Sequence, residues 1–269
     1  MSAIIYKHEF KTLLKSALVW SLAVAGLFAI YLSLFPSISK SAALLDEAMA
    51  NFPEELLTAF GMNGVSLATV PGYLSFVFLF VQLCLAIQAS SYGFSLLSVE
   101  ERELTADFLL TKPVTRSQIL TSKFLAALTA LTITNLAAWV SCLGLLRIFA
   151  ADYEYEIRPL LLILGSVVFF QLFFLTVGLV ISLLVKRIRN VVPYAMGLAF
   201  GMYVLSVFSD MLGESVLEKI TPFKHFSPND IIRTDAYNFS LVWISLLVIA
   251  LSLAGSYYLY PRRDIPSVA

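Results

Sequence analysis

The sequence predicts an all-α integral membrane protein with six transmembrane helices. An N-terminal amphipathic interfacial helix, a short cytoplasmic helix between spans two and three, and short extracellular amphipathic helices complete the expected fold. Three observations carry this class. First, the 269 residues are 59% hydrophobic and only 13% charged, with a mean hydropathy of +0.85, whereas about a quarter of a soluble domain is charged. Second, six apolar runs reach the ~20 residues a helix needs to cross the hydrocarbon core: residues 17–35, 73–98, 124–146, 160–185, 191–213 and 239–260. Third, the basic residues are unevenly divided among the segments that join those runs. Residues 1–269 read as a single transmembrane domain.

The first apolar run is longer than the core of a cleaved signal peptide and ends in no A-x-A-like site, so it is a span. Before it, Lys7, Lys11 and Lys15 recur every four residues, while Tyr6, Phe10, Leu13, Leu14 and Ala17 form another face. This pattern suits a helix lying in the interface with its lysines toward anionic headgroups, the alternative being a helical extension of span one. Lys and Arg set the orientation. With both termini cytoplasmic, 12 of the 18 basic residues fall inside and 12 of the 18 acidic residues outside.

Residues 36–72 and 214–238 then lie outside the cell. In the first, Pro53 suits a first helical position, Glu54 and Glu55 favour the positive helix start, and Gly61 makes a stop. The second contains Pro222 and Pro228 as breaks. Both are expected to form short amphipathic helices on the outer surface. Spans four and five are joined only by a tight turn, "KRIRN" at 186–190.

Between spans two and three runs "SVEERELTADFLLTKPVTRSQILTSKF" (98–124). Ser98 with Glu101, and Thr115 with Gln118, both fit a capping box, and Pro113 puts a break before the second. Span two should therefore run out to about Ser98–Glu103. A short helix follows near Leu104–Leu110, and Thr115 caps the helix that becomes span three. That short helix exposes Leu104, Phe108 and Leu109 beside Glu103 and Asp107. Leaving such a cluster wet costs about 25 cal/mol per Å², so it needs the membrane, its own subunit or a partner as cover. Periodicity does not choose among them.

Chemistry-bearing residues are sparse. Cys84 and Cys142 fall inside apolar runs, with no second thiol or histidine at ligand spacing, so neither a disulfide nor a metal site is expected. His8 and His225 fall on opposite sides of the membrane, and neither H-E-x-x-H nor G-x-S-x-G occurs. The net charge of zero gives no field for nucleic acid. Gln82, Gln88, Asn135 and Gln171 are the polar side chains within spans, candidates either for a transport pathway or for bonds between helices. Asp210 and Arg147 lie only near outer ends, which argues against a proton-driven carrier or an ion pore. Gly197 and Gly201 stand at G-x-x-x-G spacing, a candidate helix-packing face.

The segment after span two resembles that of ABC transporter type-2 permeases, the membrane subunits of bacterial ABC exporters. Glu101, Thr105, Leu109, Leu110, Pro113, Val114, Arg116, Ile119 and Lys123 stand at the matching positions, with Leu104 in place of the usual glycine and Thr115 in place of serine. "YKHEFKTLLKS" (6–16), "TPFKHFSP" (221–228) and "YPRRDIP" (260–266) resemble further family segments, so the likeness spans nearly the whole chain.

The resemblance implies a permease that docks a separate ATPase through a coupling helix, here within residues 99–116. It also implies pairing with a second permease, identical or a sister, in the bacterial cytoplasmic membrane. Glu100, Glu101, Arg102 and Glu103 would form a polar collar of that docking site, Leu104, Phe108 and Leu109 its apolar knob, with Pro113 and Arg116 closing it. No G-x-x-x-x-G-K-[ST] loop occurs in this sequence, so ATP and Mg are expected to act only through the partner ATPase, with no cofactor bound directly. A non-transporting membrane scaffold or a membrane-embedded enzyme is the alternative.

Overall fold

The computed structural model describes residues 2–41, 51–53, 57, 66–103, 114–185, 187–213 and 215–263. Six helices in it are long and apolar enough to cross a membrane. They are α1 (Ala3–Lys40), α2 (Val70–Glu103), α3 (Arg116–Phe149), α4 (Ile157–Leu184), α5 (Val191–Leu212) and α9 (Phe239–Leu259). Three short helices precede the last: α6 (Ser215–Glu218), α7 (Pro222–His225) and α8 (Pro228–Thr234). A 3₁₀ turn, Tyr260–Arg262, follows α9.

The six long helices alternate in direction. One end of the bundle brings together the starts of α1 and α3, the ends of α2, α4 and α9, and the start of α5; it is called the basic end here. Bonds at the far end join Ser39 Oγ to the Ala68 carbonyl (3.1 Å) and Tyr73 OH to the Tyr31 carbonyl (2.7 Å). There too Trp139 Nε1 donates to the Leu164 carbonyl (3.2 Å) and Tyr237 OH to that of Leu162 (2.6 Å).

Helix α4 is the centre of the bundle. It packs along α2, carries α9 on another side and touches α3 and α5. Its buried residues, from Pro159 to Leu183, point in all directions, as expected of a helix apolar all round and covered all round. Helix α1 instead lies along α3 and buries one stripe, Ala17, Ser21, Val24, Phe28, Leu32 and Phe35, spaced three and four apart. Leu18, Val19, Leu22 and Ile30 face outward, where lipid covers them.

Two expectations change at the helix level. The interfacial N-terminal helix and span one are one continuous helix of 38 residues, about 57 Å long. No breaker interrupts residues 3–35, and polar contacts to α3 hold its first turns. Ser98 also caps nothing: it sits inside α2 and donates back to the Phe94 carbonyl at 2.6 Å. The Thr115 box does form, with Thr115 Oγ1 accepting from the Gln118 N–H and Gln118 Oε1 from the Thr115 N–H. Both of its bonds satisfy donors that a helix start leaves open.

The segment after α5 departs further from expectation. Gly213, at φ +63°, ends α5 in the left-handed region. Pro222 and Pro228 do not merely break helices but begin them, each in the first turn behind a hydroxyl cap, Thr221 and Ser227. Residues 221–226 are not on the surface. Thr221, Phe223, His225 and Phe226 are all buried, and Gln82, about 18 Å along α2 from its first residue, donates to the Phe226 carbonyl. The segment therefore dips into the far half of the bundle. This is tolerated because protein groups answer its polar atoms: Thr221 Oγ1 donates to the Met202 carbonyl (2.7 Å). Phe223 stacks edge-on against Phe170, Phe174 and Tyr203. The outer helix expected between Pro53 and Gly61 falls largely outside the described residues.

Candidate functional site

The start of α3 is held from two sides at the basic end. On one side the Ser2 N–H donates to Ser122 Oγ (2.8 Å), Tyr6 OH meets Thr129 Oγ1 (3.0 Å), and Lys123 Nζ lies 3.1 Å from Glu9 Oε1. The Lys123 side chain is only 1% exposed and is paired with the Glu9 carboxylate.

On the other side the Arg116 guanidinium donates through Nη1 to the carbonyls of Tyr260 (3.0 Å) and Arg263 (2.6 Å) and lies over the Tyr260 ring. Arg263 continues the chain of contacts. Its Nη1 donates to the Ser182 carbonyl (2.7 Å) and its Nη2 to that of Val185 (3.1 Å), where α4 runs out of amide partners. A cation at a helix C-terminus also meets the negative end of the macrodipole. The two arginines thus clasp the start of α3 and the ends of α4 and α9 together.

Of the residues expected at an ATPase-docking site, Arg116 is engaged by this chain's own C-terminal segment. Glu100, Glu101, Arg102 and Glu103 form the last turn of α2, where only the backbone is described. Leu104, Phe108, Leu109 and Pro113 lie outside the described residues.

Close helix approach occurs at a different glycine pair from the one the spacing suggested. Gly197 and Gly201 lie on the exposed side of α5, where an added Cβ would meet nothing within 4 Å. At Gly93 of α2 a Cβ would stand 2.3 Å from the Leu175 carbonyl oxygen and 3.0 Å from the Leu179 nitrogen; at Gly178 of α4, 3.2 Å from the Ser90 carbonyl oxygen. Each glycine therefore admits the backbone of the other helix. The sequence hint was the run of small residues Ala89-Ser90-Ser91 just before Gly93, but a close pair split between two helices has no spacing to read.

Gln82, Gln88 and Gln171 are tied inside the subunit. Gln88 Nε2 donates to Thr134 Oγ1 (2.8 Å) and Tyr92 OH (3.3 Å), Tyr92 OH reaches Ser16 Oγ (3.2 Å), and Gln171 Nε2 donates to Gln88 Oε1 (3.2 Å). This seam crosses α1, α2, α3 and α4, and Gln88 and Gln171 are fully buried in it. Such bonds act as glue between helices where no water competes. Gln82 supports the inserted segment and borders a cavity of about 60 Å³ beside Tyr203 and Asp210. Asn135 is buried, and its Oδ1 meets no hydrogen-bond partner among the described residues.

A larger cavity, about 490 Å³, opens at the far end, lined by Asp210, Glu218, Lys224, His225, Asp230 and Asn238 among others. Lys224 pairs with Asp210, and Arg158 with Asp235 at 3.2 Å. His225 Nδ1 lies 2.6 Å from Ser245 Oγ. Burial lowers the pKa of this imidazole below its ordinary 6.5, outweighing the nearby carbonyls of Glu218 and Lys219, which act the other way. No group of three His, Cys, Asp or Glu able to hold a metal occurs among the described residues. What this architecture offers is a stitched helical bundle, a clasped basic end and a cavity under an inserted segment.

No curated protein matches the sequence significantly. The profile of the family described as "ABC-2 family transporter protein" matches residues 3–265. That match takes in the start of α1, the inserted segment, the clasp and all six apolar helices, so the chain is a multi-pass membrane permease that belongs to the ABC-2 transporter family.

Proposed function

We propose that the chain forms the transmembrane pathway of an ATP-driven exporter, as one of a pair of permeases, and docks a separate ATPase through residues 99–116. The family match over residues 3–265 carries this reading. The sequence contains no phosphate-binding loop of the G-x-x-x-x-G-K-[ST] type, so the ATP and Mg chemistry belongs to the partner chain. The basic end faces the cytoplasm of a bacterial cell, in keeping with the placement of Lys and Arg. The ATPase then covers Leu104, Phe108 and Leu109. The open side of α5 around Gly197 and Gly201, with room for a close helix, is the face offered to the second permease.

Co-purification tests the docking. Phe108→Asp or Leu104→Asp leaves membrane insertion intact and removes the ATPase from the purified complex. Retention of the ATPase by both variants would refute the docking assignment.

A further inference from the structure

The helices on both sides of the stretch between α2 and α3 are linked to α4, one directly and one through Arg263. Upstream, α2 meets the inner half of α4 where Gly93 and Gly178 bring the two backbones together, ten residues before Glu103. Downstream, Arg116 is the first residue of α3, and its guanidinium is bound to the Tyr260 and Arg263 carbonyls. Arg263 in turn grips the last carbonyls of α4 through both terminal nitrogens. The planar, permanently charged fork of arginine suits this bridging, because one side chain can hold two acceptors in fixed geometry.

We infer that Arg116 and Arg263 form a transmission joint that makes α3, α4 and the end of α9 move as one body when the segment before Val114 is displaced. The inference rests on the reading that this segment receives an ATPase. It assigns Arg116 to relaying that motion within the subunit instead of gripping the partner, and Arg263 to the same role as a positioning residue. A short link from the capped start of α3 to the end of α4 passes displacement on without compliance.

The test uses the permease purified from its native membranes with its associated ATPase. Cysteines introduced by Ser117→Cys and Leu184→Cys, both at exposed positions, carry spin labels in a Cys84→Ala background. In this parent the distance between the labels is the same without nucleotide and with ATP and vanadate. Adding Arg263→Ala keeps the ATPase bound and the nucleotide-free distance near the parent value, but the distance shifts by some ångströms when ATP and vanadate are added. Arg263→Lys, whose single nitrogen keeps the charge but lacks the rigid two-nitrogen fork, gives a smaller shift. A purely structural role would change the nucleotide-free distance or the melting temperature without a response to nucleotide.

The joint is overturned if the parent distance changes with nucleotide, or if Arg263→Ala shows no nucleotide response. It is also overturned if Arg263→Ala loses the ATPase, which would make the clasp part of docking and leave the permease reading standing. Absence of any ATPase from the parent preparation would remove that reading and the joint with it.

Discussion

Alanine at position 93 would place a methyl carbon 2.3 Å from the Leu175 carbonyl oxygen and 3.0 Å from the Leu179 nitrogen. Both are backbone atoms of α4, so no side chain can swing aside. Relief requires α2 and α4 to separate by about 1 Å, and a gap of that size forfeits a quarter to a half of the dispersion energy of the contacts it opens. Overpacking of this kind costs about 1–3 kcal/mol, and the rigid neighbour puts Gly93→Ala near the upper end. The better helix propensity of alanine returns up to about 1 kcal/mol, leaving a net loss of about 2 kcal/mol. For a chain of this size that is a fall of about 4–8 °C in melting temperature.

Gly178→Ala meets only a 3.2 Å contact and should be close to neutral. Gly197→Ala and Gly201→Ala enter open space, and each should gain up to about 1 kcal/mol in the separated subunit. Thermal unfolding in detergent, followed by loss of the monodisperse chromatographic peak, measures all four. If Gly93→Ala melts no lower than Gly197→Ala, the tight α2–α4 contact is not as described.

The other expected outcomes concern polar groups. Gln88→Leu leaves the Gln171 amide and the Thr134 hydroxyl without their partner and should destabilise by about 1–2 kcal/mol; the same melting assay reads it, and Gln88→Glu should not rescue the fold. Thr115→Val removes the cap of α3 and should cost about 1 kcal/mol, with Thr115→Ser close to the parent. Because burial lowers the His225 pKa in the folded protein, the unfolded chain takes up the proton first as pH falls. Stability should therefore decline as pH drops below the ordinary 6.5 and level off below the folded value. His225→Gln should lack this part of the acid response in melts run from pH 8 to 5, and an identical response in both proteins would count against it.

Much of the fold was legible because the bilayer imposes a length. Each of the six apolar runs became a helix, and α1 to α4 extended past their runs at one or both ends, α1 most of all. Apolar counting finds the part in lipid, whereas a helix continues until a breaker or cap stops it, and none lies between Ser2 and Pro36. Thr115 was legible for the same local reason, since a capping box is written within four residues. Ser98 carried the same signature and failed, because the α2 ladder was already running through it and offered no open amide. Residues 221–226, expected on the outer surface, are largely buried. The prolines and charges of residues 214–238 suggest a surface, and only the cleft between α2, α4 and α5 draws Phe223 and Phe226 inward. The partners of the buried glutamines were not legible, since Gln88 and Gln171 stand 83 residues apart.

By itself the sequence determined the solvent this protein lives in, the number of crossings, the points where capping and proline chemistry start helices, and the family. These are properties of composition and of neighbours within one or two turns. Only the tertiary structure decided that α4 is the hub, that Gly93 faces Gly178, that 221–226 enters the bundle, and that Arg116 holds Arg263. Each of these is a contact between backbones or side chains brought together from distant parts of the chain. Its energy depends on distances of a few tenths of an ångström, which no local pattern encodes.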